Sequence, residues 1–349
     1  MGGLSSARRG PALHAGRRRW RMAYDYGRYF GEIALTHDLT TLPGERSWRL
    51  TPPGRQPEPH RIVLYLGCNV LRTSHMIQTI TAIFDRLGLD YVAVGGPTYC
   101  CGIVHHQQGD TAAAGGMSRH TLDLFQRFEP EEVVMWCPSC IYFYDEVQRA
   151  QMPFPVRHAT EFLVERLPEL DLSRRLPARV ALHSHVQSEA RRREGIAGRR
   201  LLQAVPGLQY VEIEPEPRFG RLCTQAVQGE LGLDAWNAMV RDEIERARAA
   251  GAEILATIYH GCQRLLCGFE AEGRVVVEHY LSVFARALGI EFEDRYKKYR
   301  LWQDPERVLA DAAPCQRANG VDPARAREFV TETFGRPAPP PDRASSPPS

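Results

Sequence analysis

Short apolar runs that stop at glycine, each followed by an apolar stripe of helical period, constrain the fold of this chain more than any other feature. Ile62–Leu66 (IVLYL) reads as a buried strand closed by Gly67. Met76, Ile77, Ile80, Ile83, Phe84 and Leu87 then recur at helical spacing, and Gly88 stops that helix. Tyr91–Val94 is a second strand, closed by Gly95, Gly96 and Pro97. A helix around Ser118–Phe128 and the strand Glu132–Trp136 follow. Such βα alternation predicts a parallel sheet covered by helices. The order then begins again. Strand Val180–Leu182, a helix ending at Leu201, Leu202 and Val205, strand Tyr210–Ile213, a helix near Ala235–Arg248 and strand Glu253–Ile258 come in turn. Closing helices are expected at Ala159–Leu167 and Glu278–Leu288. The fold class is therefore α/β: two Rossmann-like lobes from an internal duplication, 61–175 and 176–290, with a helical extension at 291–335.

The flanks read differently. Residues 1–60 form an N-terminal arm, partly disordered, in which Thr51–His60 is a Pro-rich connector. Its first 23 residues hold six arginines and no acid, and lack the apolar core of a signal peptide. They read as a disordered arm or as an over-long start, with Met22 the initiator. Residues 336–349 contain six prolines and read as a disordered tail. The net charge of +2 becomes −4 once the six arginines are set aside. A mildly acidic body argues against nucleic-acid binding. No apolar run approaches the length of a membrane span.

Nine cysteines, two of them adjacent, fit a secreted disulfide framework badly. Thiols kept reduced in the cytoplasm, for metal or redox work, fit better. Five fall in the first lobe: Cys68, Cys100 and Cys101, then Cys137 and Cys140, with 31 residues between Cys68 and Cys100 and 35 between Cys101 and Cys137. Cys68 and Cys137 end strands, and in a parallel sheet those ends share the edge where ligands bind. Cys140 falls in the first turn of the next helix, which Pro138 suits for entry. Gly102 lets the backbone turn after the double cysteine. A structural zinc takes four ligands, so five converging thiolates suit an iron–sulfur cluster better.

Cys68, Cys100-Cys101-Gly102 and Cys137-Pro138-Ser139-Cys140 together resemble the cysteine-rich CCG domain of the heterodisulfide reductase B subunit, and every interval fits the family pattern. The resemblance covers about 61–290. It implies that these five cysteines ligate a non-cubane 4Fe–4S cluster at which a disulfide is reduced. It also implies an iron–sulfur C-type subunit and a flavoprotein A-type subunit as partners, and a thiol, disulfide or sulfur-carrier substrate. Gly67-Cys68-Asn69 and His105 after the CCG turn are similar to the B-type subunits of bacterial sulfur-oxidising complexes. The expected function is thus the iron–sulfur catalytic subunit of a heterodisulfide reductase-like oxidoreductase. The alternative is an electron-transfer subunit of a flavin-linked 2-hydroxy-acid dehydrogenase.

The second lobe departs from the family. Cys223 and Cys262 are 39 positions apart, as are Cys101 and Cys140, so Leu222 stands where Cys100 does, Tyr259 where Cys137 does, and about Val186 where Cys68 does. Two of five ligands remain, with Cys267, His183, His185 and His260 nearby. A residual site of Cys223, Cys262, Cys267, His183 and His260 would hold zinc or a small cluster. The plainer reading is a decayed half that only packs.

Trp136-Cys137-Pro138-Ser139-Cys140 would also pass for a thioredoxin-like redox motif, but that leaves Cys68, Cys100 and Cys101 unexplained. A zinc interaction module and a set of merely packed cysteines are further readings. His105, with His106 beside it, is a candidate proton donor to the site. Arg191–Arg193 reads as a solvated face, or as a docking point for an acidic partner. Cys315 has no evident role.

Overall fold

The computed structural model describes residues 24–148, 152–186, 188–214, 223 and 225–335. The basic stretch 1–23 and the Pro-rich tail 336–349 lie outside them. Helix α1 (Tyr26–Thr40) starts at Asp25, whose carboxylate accepts from the Arg28 N–H, and buries Ile33 and Leu39. The arm before residue 60 therefore contributes a packed helix, held against the turn after the first strand and against the C-terminal extension.

The first lobe runs β1 (Ile62–Gly67), α2 (Ser74–Arg86), β2 (Tyr91–Gly95), α3 (Ile103–Gln107), α4 (Thr111–Gln126), β3 (Glu132–Met135), α5 (Pro138–Tyr142), β4 (Val156–His158) and α6 (Ala159–Glu165). The second runs β5 (Arg179–His183), α7 (Glu189–Ala204), β6 (Gln209–Tyr210), α8 (Gln225–Leu231), α9 (Leu233–Ala249), β7 (Ile254–Thr257), α10 (His260–Leu266), α11 (Glu270–Gly273), β8 (Val276–His279) and α12 (Tyr280–Arg286). Helices α13 (Arg295–Trp302), α14 (Pro305–Ala318) and α15 (Pro323–Phe334) form the extension. Each lobe holds one four-stranded parallel sheet, ordered β2-β1-β3-β4 and β6-β5-β7-β8. The duplication read from the sequence is what the two sheets display.

Strands β4 and β8 were not legible as such. At three and four residues (VRH and VVEH) they are too short to carry a period of two. Pairing with β3 and β7 makes them strands. Ladder register also aligns the lobes. Ile62 pairs with Glu132 as Val180 pairs with Ile254, so Tyr65 corresponds to His183 and, by chain count, Gly67 to His185.

One apolar core runs through both lobes, and a second, which includes Cys101, Cys137 and Cys140, belongs to the first lobe alone. The last helix of each packs on the first helix of the other, α6 on α7 and α12 on α2. Within the first lobe, Phe84 on α2 and Phe162 on α6 meet with ring centroids 5.3 Å apart, and neither is exposed. Burial of each such ring stabilises the fold by about 1.5–3 kcal/mol. Across the seam between the lobes, the Thr160 and Tyr280 hydroxyls lie 2.8 Å apart.

Candidate metal centre

All five cysteines of the first lobe are buried at the carboxyl-end edge of its sheet. Cys68 follows β1, and the chain then tightens into a turn at Asn69–Thr73. Cys100 and Cys101 follow β2. The Thr121 hydroxyl donates to the Cys100 carbonyl at 2.9 Å, which ties this loop to α4. Gly102 has φ +92°, and a Cβ there would lie 2.4 Å from the Ala114 carbonyl oxygen, so only glycine fits. Cys137 caps α5, with Cys140 one turn on.

Gly67 is the second required glycine. Its φ is +78°, and a Cβ would fall 2.8 Å from the Cys137 Cβ and 3.3 Å from the sulfurs of both Cys137 and Cys140. Leaving that volume open is what this position does. Tyr65, two residues earlier, is fully buried; its hydroxyl donates to the Tyr99 carbonyl at 2.6 Å and accepts from the Cys140 thiol at 3.4 Å. One side chain thus links β1, the double-cysteine loop and α5.

The five thiols form a chain of neighbours. Cys100 touches Cys101 and Cys68, Cys101 reaches Cys140, and Cys140 reaches Cys137. Hydrogen bonds from Cys101 and Cys68, outweighing burial and helped by the Gly102 N–H at 3.5 Å, bring the Cys100 thiol down to about 4. Cys137 is pulled down by the Cys140 thiol and by the N–H groups of Cys140 and Ser139. The donors move the other way: Cys68 is pushed up by Cys100 and burial, Cys101 by burial and Cys100, and Cys140 by Cys101 and Cys137. Five buried thiols gathered at one edge fit a soft metal cluster, because metal charge compensates thiolates that an apolar interior would otherwise disfavour.

Second-lobe contacts reach this edge. Trp136 stacks on His279 with centroids 5.8 Å apart, and the Arg191 guanidinium lies over the Tyr142 ring at 5.4 Å. Arg192 and Arg193 pair with Glu189 and Glu161 and stay exposed, as a solvated face should. His105 lies in α3, just past the double cysteine. Its ring stacks on Tyr26 at 3.8 Å, and Nδ1 lies 3.9 Å from the Asp110 carboxylate. His106 packs edge-on to Phe143. In the extension, the Arg295 guanidinium donates to the Cys315 sulfur at 3.4 Å.

At the matching edge of the second lobe, His183, His185, Cys223 and Cys262 place their ligand atoms within 4.8 Å of one another, all buried. His183 Nε2 lies 3.3 Å from the Cys223 sulfur, and His185 Nε2 lies 3.2 Å from that of Cys262. Of the residues drawn from the sequence, Cys223, Cys262 and His183 come together, and His185 completes the set. Cys267 and His260 do not join it. Five and two residues from Cys262 on a helical path, they point to other sides of that path. Cys267 donates to the Arg264 carbonyl at 3.7 Å, and His260 is brought down to about 4 by burial and by Arg264.

Glu243 on α9 was not foreseen. Its carboxylate is fully buried and 2.7 Å from His183 Nδ1. A signal did exist: Trp236, Met239, Val240, Ile244 and Ala247 make the apolar stripe of α9, and Glu243 sits inside it.

Residues 62–143, which contain all five first-lobe cysteines, match the cysteine-rich domain family CCG. Over 242 residues the chain is 25% identical to the D subunit of dihydromethanophenazine:CoB–CoM heterodisulfide reductase from Methanosarcina barkeri, covering 66% of this chain and 59% of that one. The corresponding D subunits of Methanosarcina mazei and Methanosarcina acetivorans are 23% and 22% identical over 243 and 249 residues, 66% of this chain and 59% and 60% of theirs. The chain thus spans about three fifths of the length of the curated relatives it matches. Residues 62–143 thus match the CCG cysteine-rich domain, and two thirds of the chain is similar to heterodisulfide reductase D subunits, in line with the resemblance carried by the cysteine motif. Among the described residues no helix is long and apolar enough to cross a membrane.

Proposed function

We propose that the chain is the iron–sulfur subunit of a heterodisulfide reductase-like oxidoreductase acting on a disulfide, thiol or sulfane-sulfur substrate. The observation that carries this reading is the gathering of five buried cysteines at one sheet edge, with the space beside the Cys137 and Cys140 sulfurs kept open by Gly67. Cys68, Cys100, Cys101, Cys137 and Cys140 would hold the cluster, of the non-cubane 4Fe–4S kind that the resemblance implies. When bound, the cluster supplies electrons one at a time to a disulfide that takes up two.

The chain's own residues do the rest. Gly67 keeps volume free beside the Cys137 and Cys140 sulfurs, Gly102 lets the double-cysteine loop pack against the Ala114 backbone, and Tyr65 fixes the three cysteine-bearing segments relative to one another. His105 is positioned to hold a proton beside Cys100. Cleaving a disulfide to two thiols consumes two electrons and two protons. The electrons come from a separate redox partner, an iron–sulfur C-type or flavoprotein A-type subunit in the cytoplasm. His105 would deliver one proton to a leaving sulfur, and solvent would supply the second.

Electron paramagnetic resonance of the anaerobically reconstituted chain tests this. Small thiols, coenzyme M among them, should change the cluster spectrum. A spectrum indifferent to every thiol would point instead to a relay role in a flavin-linked 2-hydroxy-acid dehydrogenase. His105→Ala should depress turnover with the spectrum intact; unchanged turnover would remove His105 from the mechanism. A colourless, iron-free protein after reconstitution would sink the whole reading.

A further inference from the structure

We propose that His183 Nε2, His185 Nε2, Cys223 Sγ and Cys262 Sγ hold one structural zinc ion in the second lobe. The inference rests on the second lobe alone and stands whether or not the first lobe binds a cluster. Four elements supply the ligands and their support. His183 ends β5 and His185 follows two residues on, Cys262 sits in the first turn of α10, and Cys223 precedes α8.

Geometry selects a single ion. Zinc bonds of about 2.0–2.3 Å in a tetrahedron set the ligand atoms roughly 3.3–3.8 Å apart. Two sulfur–nitrogen contacts are 3.2 and 3.3 Å, and the whole set falls within 4.8 Å, so small adjustments close the shell. A two-iron cluster with the same donors would bind the imidazoles to one iron and the thiolates to the other, driving them apart. Here each imidazole lies against a sulfur.

The donor set and its support point the same way. Two thiolates and two imidazoles are a zinc set. His183 presents Nε2 to the site while Nδ1 meets the Glu243 carboxylate at 2.7 Å, both side chains fully buried. A carboxylate behind a ligating histidine fixes its tautomer and raises its basicity. With four protein ligands, none more than 6% exposed, the shell is closed, which marks a structural rather than a catalytic ion.

Metal analysis of the chain purified with zinc in the medium should give one zinc per chain. Replacing it by cobalt should give intense visible bands and a thiolate-to-cobalt band in the near ultraviolet. Cys262→Ser should abolish both. Glu243→Gln, which leaves the four ligands in place, should weaken zinc about 10–100-fold in competition with a chromophoric chelator, with circular dichroism unchanged. It decides the matter if Cys262→Ser does not fold. Cys101→Ser, in the other lobe, should keep its zinc. Any of four results would overturn the proposal: no zinc and no thiolate–cobalt band, iron in place of zinc at this site, a Cys223–Cys262 disulfide, or unchanged zinc affinity in Glu243→Gln.

Discussion

The two lobes share a sheet order, a strand register and a ligand-bearing edge, yet they present different donors there. In the first, Gly67 follows β1 and leaves open the space next to Cys137 and Cys140. In the second, His185 holds the corresponding place and brings an imidazole to Cys262, the counterpart of Cys140. Tyr65 and His183 are likewise counterparts. One tethers its lobe's cysteine segments through a hydroxyl, and the other is itself a donor backed by Glu243. On the two proposals made above, the residues at the end of β1 and β5 set whether the edge has room for a cluster or closes around one ion.

The largest expected effect breaks the pair apart. Cys101 and Cys223 occupy matching positions, so serine at each should remove one metal and spare the other. In Cys101→Ser, iron and the visible absorption should fall to background while zinc stays at one per chain. Cys223→Ser should do the reverse. Loss of both metals from either variant would show that the edges do not load independently.

A smaller effect isolates the room at Gly67. Alanine there must adopt φ +78° and bring its Cβ to 2.8 Å from the Cys137 Cβ. Such backbone strain costs about 1–3 kcal/mol, and the methyl group presses on the Cys137 and Cys140 sulfurs as well. Gly67→Ala should therefore lower the thermal midpoint and cut iron uptake on reconstitution severalfold, with zinc unchanged. Full iron loading would mean that the room for the cluster comes from elsewhere.

Much of this was legible in the chain, and what was not has identifiable causes. Apolar runs and helical stripes marked three strands of each lobe, because a buried parallel strand is continuously apolar. The five first-lobe cysteines could be found because they lie at strand ends and loop turns, where sequence position fixes spatial position closely. The second site was harder. His183 and His185 alternate at the end of β5, so both face the edge together. His260 and Cys267 are near Cys262 in the chain but turn away from it along α10 and the turn that follows. Distance along a helix is a poor guide to direction unless the period is applied. Glu243 lies in a segment crowded with charge, and only its place within the apolar stripe of α9 distinguishes it from its solvated neighbours. Helix α1 escaped notice because an arginine-rich, then proline-rich, arm surrounds it.

The smallest expected effect asks whether the lobes, so unlike at their edges, are thermodynamically one body. Their shared seam carries the Thr160–Tyr280 hydroxyl pair and the crossed packing of α6 on α7 and α12 on α2. Tyr280→Phe keeps the ring and removes the hydroxyl, leaving the buried Thr160 oxygen without that partner. The cost should be about 1–2 kcal/mol, read as a lower urea midpoint with an unchanged slope. Because one apolar core runs through both lobes without a break, unfolding should remain a single transition in which iron and zinc are released together. Two transitions, one releasing each metal, would mean that the second lobe is a separately stable unit. Its metal would then support only itself. A single transition would mean that an ion held at one edge also stabilises the lobe that carries the cysteine cluster.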